Sequence, residues 1–101
     1  MMVDLIKKLT RPSDKVAVIY PWGHRLAMLA GVDNIFPFAQ DESLILIAQL
    51  ERTYRAIETN HVRSVFGLFP KEITDWLIKN GFVLQETMKS GFTAWTKKSS
   101  L

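Results

Sequence analysis

Residues 15–20 read Lys-Val-Ala-Val-Ile-Tyr, an apolar and largely β-branched run with no polar alternation. A strand with one wet face alternates apolar and polar residues. A strand without alternation is covered on both faces, as in the parallel sheets of α/β proteins. Pro21-Trp22-Gly23 breaks the run. The rest of the chain must then supply helices for two faces and further strands for the edges.

Helical stripes lie on both sides of that strand. Met2, Leu5, Ile6 and Leu9 recur at i, i+3, i+4 and i+7, with Asp4 and Lys8 placed as an outer i,i+4 pair. Pro12 ends this helix, and Ser13-Asp14 makes a turn. His24 to Ala30 reads as a short helix stopped by Gly31. Asp33-Asn34 reads as a turn, and Ile35 to Phe38 as an extended piece whose Pro37 confines it to an edge. Asp41 is placed to cap a long helix reaching Thr59, with Leu46, Ile47, Leu50, Tyr54 and Ile57 on its apolar face and Glu51 and Arg55 outside. A second strand is expected over Arg63 to Leu68. Pro70 suits the first position of the helix that follows. Ile73, Trp76 and Leu77 are that helix's stripe, and Asn80-Gly81 ends it with Phe82 packing back. Phe82–Thr87 and Phe92–Lys97 form a hairpin around Lys89-Ser90-Gly91. Residues 98–101 read as a frayed tail.

Alternating strands and helices predict parallel pairing. The expected fold is a single α/β domain over residues 1–101. It is a small Rossmann-like half-domain with a short, mainly parallel sheet, helices on its faces and a C-terminal antiparallel hairpin.

Composition narrows the function classes. Without cysteine the 101-residue chain has neither disulfides nor a thiolate metal site. The net charge is +3, from thirteen Lys and Arg against ten Asp and Glu. The small basic groups, Lys7, Lys8 and Arg11 near the start and Lys97 and Lys98 near the end, fall short of the dense basic stripe of nucleic-acid binders. Phe92 and Trp95 point to opposite sheet faces, which disfavours a stacking platform for RNA. The longest aliphatic run, Leu44 to Ala48, is far below the roughly 20 residues of a membrane span. The abrupt start before Asp4 reads as the mark of a piece of a longer protein, and the doubled Met fits an added initiator. Neither a nucleic-acid partner nor a membrane span is expected in this chain.

Ligands of open α/β sheets bind beyond the carboxyl ends of the strands. Here that region begins with Tyr20-Pro21-Trp22-Gly23-His24-Arg25. Tyr20, Trp22, Gly23, His24 and Arg25 combine aromatic rings, a flexible backbone, an imidazole and a guanidinium at a helix N-terminus, where anions are attracted. The stretch has one glycine, where phosphate-binding loops carry several. The alternative is that Trp22 covers the sheet edge while His24 and Arg25 face solvent. Leu68-Phe69-Pro70-Lys71, after the second strand, reads as a packed corner.

His24 and His61 lack metal-ligand spacing, and no serine sits in a nucleophile elbow. His61 follows Asn60 at a helix end, where a cation favours the dipole. Asp41-Glu42 and Glu72 with Asp75 lie in first helical turns and read as capping groups. No catalytic residue, metal or cofactor is expected.

Across residues 3–97, the segments LIKKLTRPSDKVAVIYPW, LAMLAGVDNIFPF, LIAQLERTYRAIETNHVRSVFG, ITDWLIKNGFVLQET and GFTAW carry a pattern. It resembles the C-terminal extramembrane domain of multi-spanning, lipid-phosphate-sugar-dependent glycosyltransferases of the dolichyl-phosphate-mannose mannosyltransferase type. The family's turn has Arg after its glycine; here Val32 follows Gly31. The family's catalytic acids lie in membrane-proximal loops that this chain lacks, so no catalytic residue carries over.

The resemblance implies a non-catalytic accessory domain on the extracytoplasmic face. Its partner would be the membrane portion of its own parent chain, and that parent the enzyme. The alternatives are a free-standing, cytoplasmic small-molecule or anion-binding domain using the loop after the first strand, or an interaction module exposing Phe36, Phe38 and Trp95.

Overall fold

In the computed structural model, which describes residues 2–19, 23–35 and 50–98, the run after Lys15 is strand β1 (Lys15–Ile19). It is preceded by α1 (Met2–Leu9) and followed by α2 (Gly23–Ala30) and the short β2 (Asp33–Asn34). Then come α3 (Leu50–Thr59), β3 (Ser64–Gly67), α4 (Lys71–Lys79), β4 (Phe82–Thr87) and β5 (Thr93–Lys97). Leu46 and Ile47 of the expected long helix, and Phe36 to Phe38, lie outside the described residues.

The sheet runs β2-β1-β3-β5-β4. β1 pairs in parallel with both β2 and β3, and β5 pairs antiparallel with both β3 and β4. The sheet is therefore mixed, with as many antiparallel as parallel pairings, not mainly parallel as expected. The hairpin causes this: β5 turns back and inserts between β3 and β4.

β1 is buried on both faces, as its lack of alternation requires. Val16 and Val18 join Leu5, Ile6, Ala27, Phe66, Phe92 and Ala94 on the face covered by α1 and α2. Ala17 and Ile19 join Ile57, Val65, Ile73, Leu77, Phe82 and Trp95 under α3 and α4. This is three layers, helices over both faces of one sheet. Each fully buried large apolar side chain contributes about 1.5–3 kcal/mol. Phe92 and Trp95 separate onto opposite faces, as strand alternation dictates. Trp95 is therefore core, and the expectation that it forms an exposed patch is overturned.

Asp33 and Asn34 extend the sheet where a turn was expected. Asp33 N donates to Asp14 O at 2.8 Å, and Ile35 N to Val16 O at 2.9 Å. The Asn34 side chain then continues the ladder: its Oδ1 accepts from Val18 N at 3.0 Å and its Nδ2 donates to Val18 O at 3.1 Å. A side-chain amide has the donor and acceptor of a peptide group, so a turn-prone residue can finish a strand.

Helix ends follow the sequence closely. Gly31, at φ 75°, closes α2 with Val32 N donating to Ala27 O. Pro70 precedes α4 instead of opening it, because its ψ of 164° is extended. Phe82 packs back on α4, its ring 6.4 Å from Trp76. Lys8 reaches Glu86 at 3.8 Å, where a pair with Asp4 was expected. Lys98 N donates to Gly81 O at 2.7 Å, so the chain stays tied one residue past β5. At the outer edge, β4 is bulged between Leu84 and Glu86, a device that disfavours pairing with another strand.

Candidate functional site

β1 has a parallel neighbour on each side: the chain passes from β1 to β2 on one side, and from β2 back across β1 to β3 on the other. Its carboxyl end is therefore a topological switch point, the place where open α/β sheets leave a crevice. There Ile19 stands beside Gly67 in register. Gly67 O accepts from Thr93 Oγ1 at 2.7 Å, and Thr93 Oγ1 in turn accepts from Trp95 Nε1 at 3.0 Å. This chain of bonds satisfies the buried indole and fixes the β3–β5 corner. Leu68 is exposed and Phe69 half-buried as the chain turns into α4, so the corner read as packed is packed only in part.

Gly23, His24 and Arg25 form the first turn of α2, and Arg25 is exposed. Tyr20, Pro21 and Trp22 lie outside the described residues. The helix start thus joins β1 at the switch point, while the aromatic part of the loop is undescribed.

Among the described residues, two ionisable groups are displaced from their ordinary values, both upward. Burial raises Tyr54, aided by the negative charges of Glu72 and Glu51. The hydrogen bond to Asp75 at 2.9 Å raises Lys71, aided by the carboxylate's charge. Asp75 thus pairs with Lys71, where a capping role was expected. Among the described residues, no group of three His, Asp or Glu side chains is placed to hold a metal, and no helix is long and apolar enough to cross a membrane.

The opposite, amino-terminal edge of the sheet holds what the sequence reading missed. Lys8 and Arg11 follow from α1, Arg63 precedes β3, and Lys97 ends β5. All four line one cleft of about 660 Å³. Arg63 and Lys97 also line a second cleft with His61 and Lys98. The basic groups at the two chain ends are one feature in space. The signal was topological: a helix leading into β1 and a last strand antiparallel to β3 finish on the same edge.

No protein family, curated protein or solved structure matches the chain.

Proposed function

We propose that the chain is a non-catalytic accessory domain of a membrane glycosyltransferase, attached to the membrane portion of its own parent chain on the extracytoplasmic face. The observation that carries this reading is the element order. A helix, a strand opening on Asp14-Lys15-Val16, a short helix closed by glycine, a helix leading into a second strand, and a helix followed by a hairpin follow one another. That is the order the resemblance implies, on half of a Rossmann-like sheet.

Mass spectrometry of the native protein, immunopurified from detergent-solubilised membranes, tests the reading. Long apolar peptides covalently continuous with residues 2–98 are the expected result. A native polypeptide of these 101 residues alone overturns it.

A second reading is favoured by the switch point beyond Ile19: a small-molecule or anion-binding domain using Tyr20, Trp22, Gly23, His24 and Arg25. Backbone amide NMR during titration with nucleotides and sugar phosphates tests it. Shifts confined to residues 20–26 are expected, and an unchanged spectrum there counts against it.

A further inference from the structure

The two clefts at the amino-terminal edge are lined by five Lys and Arg, with two carboxylates, Asp14 and Glu58. That excess of three equals the net charge of the whole chain. Asp14 is already engaged, its Oδ2 accepting from Arg11 N at 2.8 Å to hold the turn after α1. The pair between Lys8 and Glu86 is long and exposed, and so is weak.

Two independent observations point to a missing anionic partner at this edge. Lys97 N donates to Arg63 O at 2.7 Å, continuing the register in which Ser64 faces Thr96. Arg63 and Lys97 therefore stand opposite each other across the ladder, an arrangement that repels. Neither has an ion pair among the described residues; Lys97 Nζ lies 5.7 Å from the centre of the Phe82 ring. The second observation is Ser64. It is 7% exposed, and among the described residues it is the buried polar side chain. Its hydroxyl makes no hydrogen bond to another described residue, yet it lines the same cleft. Buried hydroxyls are as a rule partnered.

We propose that the cleft bounded by Lys8, Arg11, Ser64 and the Arg63–Lys97 pair binds a phosphate-bearing anion. Guanidinium groups meet phosphate oxygens through paired N–H bonds, and ammonium groups add charge. The Ser64 hydroxyl supplies a neutral donor on the α1 side of the strand ends, and the anion's charge offsets the repulsion between Arg63 and Lys97, which stem from the other face of the same edge. The cleft has the size of a small-ligand site. It lies at the other edge of the sheet from the loop after β1 and is independent of any reading of that loop.

Amide NMR of the full chain, titrated with sodium phosphate against chloride at matched ionic strength, tests the proposal. A parallel arm uses vesicles of phosphatidylcholine with and without phosphatidylglycerol. Saturable shifts at Arg63, Ser64 and Lys97 are expected. If free phosphate produces them, the ligand is a soluble phosphate; if only the phosphatidylglycerol vesicles do, it is a lipid headgroup. Arg63→Gln and Lys97→Gln should each weaken binding about tenfold, the loss expected for one charge-assisted hydrogen bond. Both should melt no lower than the parent, because each removes a repulsion. Ser64→Ala should keep the fold and weaken binding. The proposal is overturned by no saturable shift in either arm, by shifts at residues 23–26 instead, or by saturation with a glutamate-rich peptide where phosphate fails. Unchanged affinity in folded Arg63→Gln also overturns it.

Discussion

Gly67 meets Ile19 so closely that a β-carbon on Gly67 would overlap the Ile19 carbonyl oxygen. The two residues are partners in the parallel register that joins β1 to β3. Gly67 also sits at φ 153°, which L side chains rarely adopt. The obstacle is backbone, which cannot swing aside as a flexible side chain would. Gly67→Ala should therefore destabilise the domain by about 2–4 kcal/mol, combining overpacking with backbone strain. Urea unfolding measures this, and a loss below about 0.5 kcal/mol would contradict the register.

The Thr93 hydroxyl links two groups, donating to Gly67 O and accepting from Trp95 Nε1. Thr93→Val keeps the shape and removes both bonds. It should cost about 1–3 kcal/mol, because a donor and an acceptor lose their partner. Combined with Trp95→Phe, which has no N–H to satisfy, the losses should be less than additive. A double-mutant cycle by urea unfolding measures the coupling, and strict additivity would refute the link.

Tyr54 stacks on Trp76 with ring centres 4.4 Å apart, and its hydroxyl reaches Glu72 O at 3.4 Å. Its pKa is raised above 10.0, first by burial and then by Glu72 and Glu51. The folded state thus holds this proton more tightly than the unfolded state does. Its contribution is complete below pH about 10 and falls as pH rises toward the folded value, because the unfolded chain ionises first. Tyr54→Phe should flatten the alkaline decline in stability. Lys71 is displaced in the same direction, but its pair with Asp75 is exposed and screened. An unchanged decline from pH 9 to 11 in Tyr54→Phe, followed by thermal melting, would assign the effect elsewhere.

His61 occupies a left-handed position, φ 53°, where glycine usually closes a helix. His61 N donates to Glu58 O and Val62 N to Ile57 O, both at 3.1 Å, and the side chain is exposed. His61→Gly should raise stability by about 0.5–1 kcal/mol, the left-handed strain relieved less the added chain entropy of glycine. A fall in melting temperature would show that the imidazole makes a contribution larger than the strain.

Much of the fold was legible because local chemistry and tertiary demand agree. Residues 16–19 announced burial on both faces, and the α1 stripe placed Leu5 and Ile6 in the core. Gly31 and Gly81 marked helix ends at positive φ. Asn34 was misread because a turn-forming amide serves here as a strand extension. The mixed sheet was hidden because nothing in residues 82–97 says which strand of the hairpin lies next to β3. The loop after β1 could be named from the sequence because local order defines it; its Tyr20 and Trp22 lie outside the described residues. The basic edge was invisible because Arg11, Arg63 and Lys97 are distant in sequence, and three-dimensional pairing alone unites them.

The accessory-domain reading is tested most directly by immunoblotting carbonate-extracted membranes and the soluble fraction with an antibody against residues 50–98. The account predicts a band that resists carbonate extraction and migrates far above a 101-residue chain. A carbonate-released or soluble band at the size of 101 residues would contradict it.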